Sequence, residues 1–212
     1  MAYPAVVAAA LSGATLRQLQ YWRSSRSTDG PLLAPTFHSP RARVSYSFQD
    51  VIALRTFVYL RTHDVPLQRV RKAVRRLREI GETKHLSEYK LVAVGRDVVW
   101  MVSEESALDL TQHPGHQVIA KMLDIIAPFG DTRGREVVSL FHPKPGLAVD
   151  PDIRGGYPVI EGTRVPYDLV AALLDDGLSA DDVSGFYPSV KPNAALGALD
   201  FARYVDEHRA AA

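Results

Sequence analysis

The chain has 212 residues, 46% of them hydrophobic and 23% charged, with no cysteine and a net charge of +1. That is the composition of a soluble globular protein, long enough for one large or two small domains. It excludes disulfides and thiolate zinc sites, fits a reducing cytoplasm, and holds no run near the ~18 consecutive apolar residues of a membrane span. The apolar opening MAYPAVVAAALSG has no basic residue before Arg17, so it predicts the first helix of a folded domain, not a secretory signal.

The near-neutral total hides a segregation. Residues 1–100 carry 16 Lys/Arg against 7 Asp/Glu, a net of +9, whereas residues 101–212 carry 9 against 17, a net of −8. A basic half beside an acidic half points to nucleic acid for the first and to another partner, often protein, for the second.

In chain order, PAVVAAAL, residues 4–11, predicts a short helix after Pro4, and Ser12-Gly13-Ala14 a turn. Thr15 then caps a second helix, LRQLQYWR, which completes a helix-turn-helix outline. Leu16, Leu19 and Trp22 are its core residues. Arg17, Gln18, Gln20 and Tyr21 have the hydrogen-bonding chemistry that a major groove reads. A Ser-, Pro- and Gly-rich loop follows, then a short strand over 44–47, with Arg41 and Arg43 where a wing would meet phosphate. Ser47 caps a third helix with Val51, Leu54, Val58 and Leu60 at helical spacing. A fourth helix begins at Pro66, with an apolar stripe of Val70, Ala73, Val74 and Leu77, and is closed by Gly81. Arg69, Arg71, Lys72, Arg75, Arg76 and Arg78 crowd its remainder, and six cations in ten residues repel one another unless a polyanion neutralises them. Arg75 is the representative phosphate contact of this helix.

The order of these elements, with TLRQLQYW, the R-x-R-x-x-Y of Arg41 to Tyr46 and VPLQRVRKAV, resembles the MerR-type winged helix-turn-helix domain over residues 3–80. The resemblance implies sequence-specific binding of duplex DNA, with Arg17, Gln18 and Tyr21 on the recognition helix and Arg43 near the wing. Where that family carries a long dimerising helix, KLVAVGRDVVWMV over 90–102 reads as a β-hairpin turning at Gly95-Arg96-Asp97.

Residues 103–150 combine a predicted helix, QVIAKMLDII, a predicted strand, VVSLF, and a turn at Pro145-Gly146. His113, His116 and His142 are scattered over turns that hold no fixed ligand face, so neither metal nor cofactor is expected. Further on, GGYPVIEGTRVP places a short buried strand, Val159-Ile160, between glycine turns, with Pro166 opening the helix YDLVAALLDDG and Gly177 closing it. Ser179 and Asp182 form a capping-box-like start to ADDVSGFYP, and a last helix follows Pro192. Three helices behind a short strand is the expected arrangement. No nucleophile with a base and no clustered carboxylates appear, so an enzyme is not expected.

GGYPVIEGTRVP, then DGLSADDV, FYP and the last helix, resembles a family of small trihelical bacterial domains known from VapB-type antitoxins, over about residues 147–205. The resemblance implies that Gly155, Gly156, Gly162 and Pro166 shape the fold, and it leaves Arg164 as the functional candidate. Together the two resemblances imply an antitoxin that represses its own operon through operator DNA and neutralises a VapC-type PIN-domain ribonuclease toxin. Arg164, Arg203 and Arg209 are the candidates for insertion into the toxin's acidic metal site. The expected fold is mainly α with small β elements, divided into 1–83, 84–146 and 147–212, and homodimeric because operators are commonly palindromic. The competing reading is a ligand-responsive transcriptional regulator without a toxin partner.

Overall fold

The computed structural model describes residues 2–24, 30–37, 43–79, 90–94, 97–101, 107–109 and 122–210. Arg41, the Gly95-Arg96 turn, His113, His116 and the Gly81 helix stop lie outside them. The architecture is mainly helical with small two- and three-stranded sheets, as the sequence predicts.

Strand β1 (Tyr3–Pro4) leads into α1 (Ala5–Ser12), which ends at Gly13 in the left-handed conformation, φ +76°. Helix α2 (Leu16–Arg23) starts three residues later, after Ala14 and Thr15. Strand β2 (Ser45–Tyr46) pairs antiparallel with β1, Tyr3 opposite Tyr46. Helix α3 (Phe48–Thr62) is capped at Ser47, whose hydroxyl accepts from Asp50 N at 3.0 Å while Asp50 Oδ2 accepts from Ser47 N at 2.8 Å. The same Asp50 oxygen accepts from Thr36 N at 2.9 Å and so ties the loop before β2 to the helix start. Helix α4 (Leu67–Glu79) packs on α3.

Strands β3 (Lys90–Val94) and β4 (Asp97–Met101) form the expected hairpin, extended by β5 (Ala107–Asp109) on the far side of β4. The predicted helix of the middle region appears as α5 (Met122–Ile126) among the described residues. The predicted strand VVSLF does not form as written. Its first residue ends the two-residue strand β7 (Glu136–Val137), paired with β6 (Phe129–Gly130), and Val138 to Phe141 leave the ladder. The reason is long-range: the Val138 carbonyl is taken by an arginine of α3 and Leu140 N donates to Ile126 O at 2.9 Å.

Strand β8 (Leu147–Ala148) pairs with β9 (Val159–Ile160), followed by α6 (Tyr167–Asp175), α7 (Val183–Phe186) and α8 (Pro192–Ala210). Between the strands a single 3-10 turn, Arg154–Gly156, carries the two glycines at positive φ. Gly156 is where this motif meets the amino-terminal region. A Cβ there would lie 2.5 Å from the Tyr3 hydroxyl and 2.8 Å from a Phe48 ring carbon, and Tyr3 donates its hydroxyl to the Gly156 carbonyl. Helix α8 packs along both α6 and α1, with Gly197 against the Pro145 carbonyl, where a side chain would collide. A large cluster of buried apolar side chains runs from Tyr3 to Val205, beside a smaller one of Tyr59 and Ile125, so the basic and acidic regions share a core.

Candidate nucleic-acid interface

The surface of α2 divides by helical period. Leu19 and Trp22 are buried, Trp22 edge-on to Phe57 of α3 with ring centroids 5.8 Å apart. Arg17, Gln20 and Tyr21, spaced i, i+3, i+4, form one exposed stripe. Gln18 stands apart from them. Its side-chain oxygen accepts from Thr15 N at 2.8 Å, while Thr15 Oγ1 accepts from Gln18 N at 3.1 Å, which closes a capping box. The predicted groove-facing set is therefore three residues on one face plus a fourth that fixes the helix start.

Tyr21 is 56% exposed, large for an aromatic ring, and it rests on a cation: the Arg71 guanidinium of α4 lies 5.2 Å from its centroid. Arg71 does not belong to the solvated remainder of α4. It is buried beside Val70 and Val74, reaching Gly30 O at 3.4 Å, because position 71 falls at the margin of the apolar stripe and its long stem packs inward. Lys72, Arg75 and Arg76 are exposed, with Arg75 and Arg76 at 3.7 and 3.3 Å from Glu79. Surface pairs one turn apart hold their charges loosely and exchange them readily for phosphate. Arg43 is exposed two residues before β2, beside the bridge between Phe37 and Ser45.

The helix-turn-helix is held from beneath by Arg55 of α3, fully buried and missed by sequence reasoning. Its guanidinium donates to the carbonyls of Leu11 (2.5 Å), Ile125, Ala127 (2.7 Å) and Val138 (2.7 Å), and lies 4.9 Å from the Phe129 ring centroid. Burial pushes its pKa down to about 10, still far above neutrality, so it stays a cation held by carbonyl dipoles. No local pattern announces it, since its partners sit about 44 to 83 residues away.

The toxin candidates are dispersed. Arg164 is exposed on the turn Glu161–Val165, whose shape comes from Gly162 at φ +75° and from Thr163, which donates to Ile160 O at 2.9 Å and accepts from Val165 N at 3.0 Å. Arg203 and Arg209 are exposed on α8, six residues and hence about 120° apart around the helix. Arg209 pairs with Asp206 at 3.4 Å. His142 lines an open cleft of about 510 Å³ with Glu136, Lys144 and Glu161.

Residues 147–202 match a family described as a protein of unknown function, DUF433. The chain is 31% identical over 105 residues to uncharacterized HTH-type transcriptional regulators of Mycobacterium bovis and Mycobacterium tuberculosis, covering 48% of this chain and 44% of each of those proteins. The chain thus spans less than half the length of these relatives. Rv2018 from Mycobacterium tuberculosis, a crystal structure, shares the fold: TM-score 0.56 at 17% identity, over 93% of this chain and 96% of that one.

Proposed function

We propose that the chain is a DNA-binding transcriptional regulator whose α2 enters the major groove. The observation that carries this is the exposed stripe of Arg17, Gln20 and Tyr21, backed by Arg71 and set against a buried face of Leu19 and Trp22. Arg pairs with guanine O6 and N7, Gln with adenine N6 and N7, and Tyr packs on sugar or a thymine methyl. Lys72, Arg75 and Arg43 supply phosphate contacts, as does Arg41. The likeness to HTH-type regulators supports the same reading. A duplex from the region upstream of the gene should bind more tightly than a scrambled duplex; equal affinity for both removes sequence reading.

The finer reading is an antitoxin. The division of labour puts operator binding in 1–83 and capture of a VapC-type PIN-domain ribonuclease in 147–212, with 84–146 joining them, in a homodimer. Arg164, Arg203 or Arg209, all exposed, would enter the toxin's acidic site. Its support is the trihelical motif. Co-expression with the neighbouring gene product, pull-down and an RNA-cleavage assay test it: a complex with suppressed cleavage is expected, and free, active nuclease overturns it. The open cleft in which Glu136, His142, Lys144 and Glu161 stand among prolines and Leu147 favours the second reading, a regulator that senses a small ligand. Ligand-dependent release of DNA without any toxin partner distinguishes it.

A further inference from the structure

The β6–β7 hairpin comes from the acidic half of the sequence, yet it is mounted on the helix-turn-helix. Arg55 of α3 grips both of its roots, donating to Ile126 (3.3 Å) and Ala127 (2.7 Å) before β6 and to Val138 (2.7 Å) after β7. Val137 lies against Gly13, the residue that turns α1 into α2, so closely that a Cβ there would sit 2.4 Å from a Val137 methyl. Tyr204 of α8 bridges β7 and α1, its single hydroxyl proton shared between Glu136 O at 3.1 Å and Ala10 O at 3.2 Å.

The tip of the hairpin is equally fixed. Asp131 accepts from the backbone N–H groups of Arg133 (2.8 Å) and Arg135 (2.9 Å) and, through its second oxygen, from the Arg135 side chain at 2.9 and 2.8 Å. These bonds hold the Asp131 carboxyl below the usual carboxylate range, against the opposing effect of its burial. The acid and Arg135 neutralise each other, Gly134 turns the chain at φ +77°, and Thr132 and Arg133 are left exposed at the apex. One narrow crevice brings Asp131, Arg133 and Arg135 beside Thr15 and Gln18 of α2 and Arg61 of α3. Glu136 lines a different cleft.

We infer that this hairpin is a second DNA-contacting element, in which Arg133 bonds a backbone phosphate flanking the groove that α2 enters. The inference rests on the DNA-binding reading above. A cation on a preformed turn next to the recognition helix costs little ordering on binding, and a phosphate contact carries no sequence information. It also gives a role to a hairpin from the acidic half that presents an exposed arginine beside α2.

The test is fluorescence anisotropy of the full chain with a duplex from upstream of its gene and with a scrambled duplex, over a salt series, for the parent, Arg133→Ala and Arg133→Lys. The expected result for Arg133→Ala is a loss of roughly five- to tenfold at about 0.1 M salt on both duplexes and a log K against log salt slope flatter by about 1, with Arg133→Lys close to the parent. Thermal unfolding should not change, because the Arg133 side chain is exposed. An Arg133→Ala chain with the parent's affinity and slope overturns the hairpin inference while DNA binding stands. A parent chain that binds neither duplex overturns both.

Discussion

The basic and acidic regions differ in what they show to solvent and agree in what they bury. In residues 43–79 the exposed surface carries Arg43, Lys72, Arg75 and Arg76, whereas around α6 and α7 it carries Asp168, Asp175, Asp176, Asp181 and Asp182. Yet Tyr3 of β1 meets Tyr157 at 6.0 Å, Tyr157 stacks on Tyr167, and Tyr167 sits edge-on to Phe201 of α8, an aromatic chain that crosses from one region to the other. Charge here divides the surface between the two regions, while the apolar core ignores that division. A duplex bound to one region and a protein bound to the other would be coupled through packed side chains and not through a linker.

The largest effect on this comparison should come from Arg55, which joins the two regions. Arg55→Ala leaves the Leu11, Ile125 and Val138 carbonyls without their donor and opens a void, and should lower unfolding free energy by at least about 3 kcal/mol in a urea titration. An unchanged midpoint would show that the regions do not depend on this arginine. Gly156→Ala comes next, combining a left-handed φ of +83° with the contacts to Tyr3 and Phe48; about 2–4 kcal/mol is expected. Substitution of exposed Gly162, which has open space around it, should cost less and so separates strain from collision.

Within the basic region two arginines should part company. Arg17→Ala should reduce discrimination between upstream and scrambled duplexes by about 1–3 kcal/mol, whereas Arg75→Ala should weaken both alike and flatten the salt slope by about 1. Matching losses in the two variants would remove the distinction between groove and phosphate contacts.

The smallest effect belongs to His208, buried on α8 with its Nδ1 2.9 Å from the Tyr204 carbonyl. Burial depresses its pKa below the ordinary value of 6.5, outweighing the Tyr204 carbonyl, and Arg135 depresses it further while Asp131 and Glu207 oppose. A base with a lowered folded pKa binds fewer protons folded than unfolded, so its contribution is complete above about pH 6.5 and declines as pH falls toward the folded value. Urea titrations at pH 7.5 and 5.5 should show a drop for the parent and a smaller one for His208→Gln; equal drops would assign the acid sensitivity elsewhere.

Local signals were legible in the sequence and long-range ones were not. Thr15 and Ser47 as caps, the hairpin of β3 and β4, Pro166 before α6 and Gly177 after it all follow from spacing within a few residues. The capping role of Gln18 was equally legible, because Thr-x-x-Gln is the signature of a capping box, but its polar side chain competes for a groove-facing assignment. Arg55 and Arg71 were not, since a buried cation is explained only by acceptors or rings that the fold delivers from afar. The β6–β7 hairpin has the same cause: its ends are held by Arg55 and by Gly13, both far away in the chain.

The most direct test of the DNA-binding account is the affinity of the full chain for the upstream duplex and for a scrambled one across a salt series. The account predicts tighter binding to the upstream duplex at every salt concentration and a steep negative salt slope on both. Equal affinities with a flat slope would contradict it.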